Sequence, residues 1–225
     1  MRGKWVPLIV AGVASLILVT TIYAGGWAIV TVRDLPEYAV AGNPLQLTFM
    51  VRQHGVSPWG GLKPKIAAKS GTTMVDGSAV ETKTTGEYTA TLALPRPGNW
   101  SIEISEVAGS ALLELKVIAP GSPAPRPLSQ AALGKRLFVA KGCIGCHSNR
   151  EVRAESLMDI GPDLTGKRFP ETYLKSFLAD PQATLGRATD PERGEMPNLG
   201  LTKSEIAALT AFINRERPSE SRPAK

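Results

Sequence analysis

The sequence predicts a multidomain chain in three parts: a single N-terminal transmembrane helix, an all-β sandwich and a small all-α domain. Three observations predict it. Residues 6–24 are almost wholly apolar, between Lys4 and the next charge at Arg33. Residues 27–118 alternate apolar and polar side chains in short runs separated by turn residues. Residues 129–217 switch to helical spacing and contain Cys143-Ile144-Gly145-Cys146-His147, which holds both cysteines of the 225-residue chain. The parts are 1–26, 27–118, a proline-rich linker at 119–128, 129–217, and a polar tail at 218–225.

The apolar run comes first. Its nineteen residues at ~1.5 Å rise come close to the ~30 Å core of a bilayer. Arg2 and Lys4 precede it, which predicts the N-terminus in the cytoplasm and the rest of the chain outside, in the periplasm. The expected location is therefore the cytoplasmic membrane, single-pass. A cleaved signal peptide is the alternative, with Ile22-Tyr23-Ala24 as its cleavage site, but its apolar stretch usually spans only ~7–15 residues.

In the second part, Leu45, Leu47, Phe49 and Val51 alternate with Gln46, Thr48, Met50 and Arg52, the period-two mark of a half-buried strand. Tyr88, Ala90, Leu92 and Leu94 repeat it, Pro95-Arg96-Pro97-Gly98 makes a turn, and Trp100, Ile102 and Ile104 resume it. With strands at 27–32 and 111–118, about seven short strands predict an immunoglobulin-like sandwich. The motifs Val51-Arg52-Gln53-His54-Gly55, Gly61-Leu62-Lys63-Pro64, Gly86-Glu87-Tyr88 and Pro97-Gly98-Asn99-Trp100 are similar to those of small YtkA-like sandwich domains. That resemblance implies a fold more than an activity. Met50 and His54 are the obvious soft or imidazole ligands here, too few for a copper centre. A loop-corner role for His54 is the expectation.

The linker Ala119-Pro120-Gly121-Ser122-Pro123-Ala124-Pro125-Arg126-Pro127 favours extended polyproline II. At ~3.1 Å per residue it spaces the flanking domains by about 25–30 Å, or lets one swing. The net charge of +6 is spread along the chain and implies mild steering towards an acidic partner or anionic headgroups. The chain has no nucleic-acid-binding motif, and no nucleic-acid partner is expected.

Cys143, Cys146 and His147 form the CxxCH pattern of covalent c-type haem attachment. Each thiol adds to one vinyl group, and the histidine that follows is placed to ligate iron. A thioredoxin-like pair needs a βαβ setting, and a zinc site needs a second ligand pair. Neither is present, since the other histidine, His54, lies far upstream. One haem c, covalently bound, is therefore expected. Low-spin carriers usually add a methionine on the other face. Met158 follows His147 by eleven residues, too few to wrap the porphyrin, and Met196 follows by forty-nine. Met196, in Gly194-Glu195-Met196-Pro197-Asn198, is the expected second metal ligand beside His147, against the alternative of a gap-filling core thioether.

The helices flank this motif. Ser129 is a good N-cap for a helix with Leu133, Leu137 and Phe138 on one face. Asp180-Pro181 ends a middle helix. Thr202 and Glu205 read as a capping box for a last helix striped with Ile206, Leu209, Phe212 and Ile213, and Pro218 follows its end. Gly134, lacking a side chain, lets two helices cross closely.

In order and spacing, residues 129–217 resemble a class I, mono-haem cytochrome c: Gly134 and Phe138 before CxxCH, Gly161-Pro162-Asp163-Leu164 after it, then Tyr173-Leu174-Lys175-Ser176-Phe177-Leu178, Met196-Pro197, and Leu209 with Phe212. The resemblance implies an all-α class I cytochrome c fold in which the last helix crosses the first at Gly134. It implies that the Pro162 carbonyl accepts the ring N–H of His147. Gly161, Leu164 and Tyr173 then join the cofactor-binding set, Tyr173 on a helix over one haem edge. The function implied is a membrane-anchored electron carrier with redox protein partners, as tethered shuttle or subunit of a larger respiratory or photosynthetic complex. With both axial positions filled, no catalysis on a small molecule is expected. A haem-based ligand sensor, or an accessory or assembly subunit of an oxidase with a metal-handling β domain, are the other readings.

Overall fold

The computed structural model describes residues 27–107, 109–152, 160–185 and 196–215. The transmembrane helix expected over 6–24 falls outside these residues. Among the described residues, no helix is long and apolar enough to cross a membrane. The longest have 11 residues, about 16 Å at the α-helical rise, half of a bilayer core. The fold class is corrected accordingly: among the described residues, a β-rich N-terminal part is followed by a small helical part, with no membrane-spanning helix. The single-pass location that rested on such a helix is not supported by any described helix.

Ten strands form the β-rich part: β1 (Ala28–Val32), β2 (Tyr38–Val40), β3 (Pro44–Gln53), β4 (Ser57–Pro58), β5 (Lys65–Ser70), β6 (Thr73–Ser78), β7 (Val80–Glu81), β8 (Glu87–Ala93), β9 (Gly98–Val107) and β10 (Gly109–Ile118). They make two five-stranded sheets, one ordered β1-β3-β8-β7 with β4 also on β3, the other β2-β10-β9-β5-β6. The alternation read in the sequence decides which side chains meet between them. Leu47, Phe49 and Val51 of β3, Tyr88, Ala90 and Leu92 of β8, Trp100, Ile102 and Ile104 of β9, and Leu113 and Leu115 of β10 fill one core. The extra strands over the expected seven are the two-residue β4 and β7 and the three-residue β2, too short to carry a period. β2 pairs in parallel with β10, the other pairs being antiparallel.

The helical part contains α1 (Gln130–Ala140), α2 (Glu171–Ala179), α3 (Pro181–Leu185) and α4 (Lys203–Ile213). Ser129 caps α1, its side chain accepting from the Ala132 amide. Thr202 and Glu205 form a reciprocal capping box on α4. Asp180 caps the C-terminal end of α2, and Pro181 opens α3, a first-turn place where the missing N–H of proline costs nothing. Leu137, Phe138, Leu164, Leu174, Leu178, Ile206, Leu209, Phe212 and Ile213 form a second core. At its centre α1 crosses α4. A Cβ on Gly134 would lie 1.9 Å from the Ala208 carbonyl oxygen, so only glycine permits this approach. Phe138 and Phe212 meet beside it, ring centroids 5.6 Å apart.

The two parts are not held apart by the linker. Arg136 of α1 donates to the carbonyl oxygens of Glu114 (3.1 Å), Glu37 (3.3 Å) and Pro36 (2.6 Å). Lys141, just after α1, is buried; its ammonium pairs with Glu205 at 2.6 Å and donates to the Arg33 carbonyl at 2.8 Å. The expected 25–30 Å spacing or swing fails because these two cations find their acceptors on the sandwich.

The pair at Lys141 gives a pH signature. Burial alone would push the Glu205 carboxyl up, but the hydrogen bond and charge of Lys141, with the Thr202 amide, outweigh it and hold it below its ordinary 4.5. The unfolded chain therefore takes up the proton first. Stability from this carboxylate is complete above pH 4.5 and is lost as pH falls through the lower folded value. Unfolding midpoints against pH should fall on acidification in the wild type more steeply than in Glu205→Gln. Parallel curves for the two proteins would refute the assignment.

Candidate functional site

The site is built on the turn that leaves α1. Gly142, at φ +79°, reverses the chain in a left-handed conformation that suits glycine. A 3₁₀ turn then runs over Cys143–Gly145. The Cys143 carbonyl accepts from the Cys146 amide at 3.2 Å and the His147 amide at 2.9 Å. This winding places both thiols and the imidazole on one short loop. Both thiols are half-buried and form no disulfide with each other. Burial pushes the Cys143 thiol up to about 12 and the Cys146 thiol up as well.

His147 is fixed by the segment that follows it. Its Nδ1 lies 3.0 Å from the Pro162 carbonyl oxygen. A carbonyl oxygen only accepts, so the ring carries its proton on Nδ1 and leaves the Nε2 lone pair for a metal. The Gly161 amide donates to the Cys146 carbonyl at 2.9 Å, and the Leu164 amide to Ser148 at 2.9 Å. A Cβ on Gly161 would lie 2.4 Å from ring atoms of His147, so the backbone closes directly on the imidazole. Burial lowers the pKa of His147, against the Pro162 hydrogen bond, which raises it. The balance favours the neutral ring, the form that ligates.

Met196 is half-buried and packs against the second core, as do Cys143, Ile144 and Phe169. The structure thus brings Cys146, His147, Gly161 and Pro162 together, and sets Leu164 within the second core with Cys143 and Met196 packed against it. Tyr173 stands apart: it is 42% exposed and stacks on Phe177, centroids 5.9 Å apart. Met158 lies outside the described residues. These residues fit haem c. Two thiols on one turn, an imidazole with its free nitrogen unprotonated, a thioether and an apolar wall are the donor set and the surroundings that it requires.

On the sandwich, His54 is exposed at φ +53° in a turn, its ring edge-on to Trp27 at 5.8 Å. Met50 is half-buried on β3. Among the described residues no group of three or more His, Cys, Asp or Glu side chains converges as a metal site. A cleft of about 700 Å³ lies elsewhere, at the seam between the two parts, lined by residues 33–40, Leu133, Leu137 and Glu205 and by none of the haem residues.

Sequence reasoning missed Ile29, Arg136 and Lys141. The two cations sit among helix residues like any solvated charge. Ile29 belongs to a strand, β1, that is buried at every residue. Its unbroken apolar run Ala28-Ile29-Val30, in place of alternation, was the available signal.

Residues 131–215 match the Cytochrome c family. They form a cytochrome c domain, whose cofactor is covalently bound haem c, in an electron-transfer haem protein. Among curated proteins none matches the chain. Solved structures show similarity at a low level. A superoxide reductase (neelaredoxin) from Ignicoccus hospitalis is 17% identical, with 41% of this chain and 82% of that one covered and a TM-score of 0.31. Domains 1–6 of the surface layer protein SbsC are 14% identical, covering 44% of this chain and 14% of that one, at 0.33. A CARDB domain from Pyrococcus furiosus, in complex with di-metal ions, is 13% identical, covering 41% and 89%, at 0.28. None of these carries an argument about this chain.

Proposed function

We infer, from the cytochrome c domain at residues 131–215, that this chain passes single electrons between redox protein partners and performs no catalysis on a small molecule. The haem supplies a one-electron iron couple. This chain's residues hold it and tune it. Cys143 and Cys146 would hold the haem covalently through thioether bonds. His147, its Nδ1 proton held by the Pro162 carbonyl, would ligate the iron through Nε2. Met196 would supply a thioether as the second iron ligand, which would favour ferrous iron and raise the potential. The observation that best supports Met196 in this role is that it packs against the same apolar cluster as Cys143.

The test is Met196→Ala. The reduced variant is expected to bind carbon monoxide and to have a lower potential. A variant with the wild-type spectrum and no carbon monoxide binding would refute Met196 as ligand. Carbon monoxide binding by the unaltered reduced protein would favour a ligand sensor instead.

A fixed place in a larger electron-transfer assembly is supported over a free shuttle by the sandwich, which is held against the haem domain by Arg136 and Lys141. A haem-stained native gel of cell extract distinguishes them. Haem migrating within a large assembly is expected, and a band at the size of the 23.9 kDa chain would make it a shuttle.

A further inference from the structure

We propose that the sandwich is a buttress for the haem-attachment loop, with Ile29 of β1 as the positioning residue. This rests on the haem assignment above. Among the described residues β1 is an edge strand, paired on one side only, with β3. Edge strands usually leave a free row of backbone groups and one solvated face. Here all five residues of β1 are buried. Ala28, Val30 and Val32 belong to the sandwich core, and Ile29, on the opposite face, does not. Yet Ile29 is only 5% exposed.

What covers Ile29 is the haem-attachment loop. A Cβ on Gly145 would lie 2.2 Å from the Ile29 Cδ1, and one on Gly142 would lie 2.5 Å from its Cγ2 and 2.8 Å from the Val30 carbonyl oxygen. Gly145 stands inside the CxxCH motif, between Cys143 and Cys146. The two glycines that frame the attachment turn are therefore seated on one isoleucine of the other domain. The contact is pinned on both sides. Thr31, the next outward residue of β1, donates to the Lys141 carbonyl at 3.4 Å, and the Lys141 ammonium reaches the Arg33 carbonyl at 2.8 Å. Ala140, the last residue of α1, is buried in the sandwich core itself.

The consequence concerns His147. The loop from Gly142 to His147 is short and hydrogen-bonded back to Cys143. Its position decides where the imidazole and the two thioether sulfurs stand. A buttress that sets this loop sets the orientation of the proximal ligand and the exclusion of water behind it, both of which tune a haem potential. The sandwich then acts on the redox centre without ligating it. It also occupies the back of the loop, which leaves electron exchange with a partner to the other faces of the haem domain.

The test is a double-mutant cycle on the haem-loaded full chain: Gly145→Ala, Ile29→Ala and the pair together. Gly145→Ala pushes the loop off Ile29 and is expected to change the ferrous-to-ferric ratio at a fixed applied potential by about threefold, or ~30 mV for a one-electron couple. Ile29→Ala makes room for the added methyl, so the double variant is expected to return to the wild-type ratio. Two independent sites would give additive changes instead. Additivity, or no shift in Gly145→Ala, overturns the proposal and leaves the haem assignment intact. If Gly145→Ala takes up no haem, recovery of haem in the double variant supports the proposal, and no recovery overturns it. Absence of covalent haem from the wild-type protein would overturn both this proposal and the function it rests on.

Discussion

Gly134→Ala is expected to destabilise the haem domain by about 2 kcal/mol or more, although alanine is the better helix former. Two effects oppose each other. Alanine in a helix interior gains ~1 kcal/mol over glycine. Against it, the new Cβ would lie 1.9 Å from the Ala208 carbonyl oxygen, 2.6 Å from its carbon and 2.7 Å from the Phe212 Cβ. Overpacking of this kind costs ~1–3 kcal/mol and occasionally more. The obstacle is backbone on the facing helix, which does not rotate away, so the upper end applies. Moving α1 off α4 also breaks the Phe138–Phe212 contact and disturbs the end of α1, from which the Cys143 turn starts. Denaturant titration followed by haem absorbance measures this. An unchanged or raised midpoint would show that the crossing is looser than described.

Lys141→Met is the second large effect. The Lys141 side chain is 6% exposed and that of Glu205 18%. Breaking an enclosed ion pair from one side typically costs ~3–5 kcal/mol, because the surviving charge is left unpaired. Here Glu205 keeps the Thr202 amide and some water, so about 2–3 kcal/mol is expected. The Arg33 carbonyl also loses its donor, so the loss extends to the seam with the sandwich. Glu205→Gln added to Lys141→Met should restore part of the stability by removing the stranded charge. Thermal unfolding of the single and double variants checks this. A single variant as stable as wild type would mean that the pair contributes nothing.

What could be read in the sequence was local or periodic. The alternation from Leu45 to Val51 faces the sandwich core because the side-chain period of a strand is two. Ser129 and the Thr202–Glu205 pair cap helices because their side chains answer amides only three residues away. The attachment turn, and the segment from Gly161 to Leu164, carry their chemistry in contiguous residues. The seam between the domains was not legible. Arg136 serves carbonyls 22 to 100 residues distant, and Lys141 one 108 residues distant. No pattern along the chain announces such pairings. Polyproline stiffness describes the linker from Ala119 to Pro127, but it does not decide whether the domains it joins will dock. The apolar run at 6–24 fits a spanning helix by length and composition alone, and no described helix supports that reading.

The most direct test of the central claim is the mass of the purified full chain after denaturation and treatment with a thiol-alkylating reagent. Covalent haem c on Cys143 and Cys146 predicts the chain plus one haem, with neither cysteine alkylated, and loss of that haem in a Cys143→Ala/Cys146→Ala variant. A wild-type chain of unmodified mass with two alkylated cysteines would contradict it.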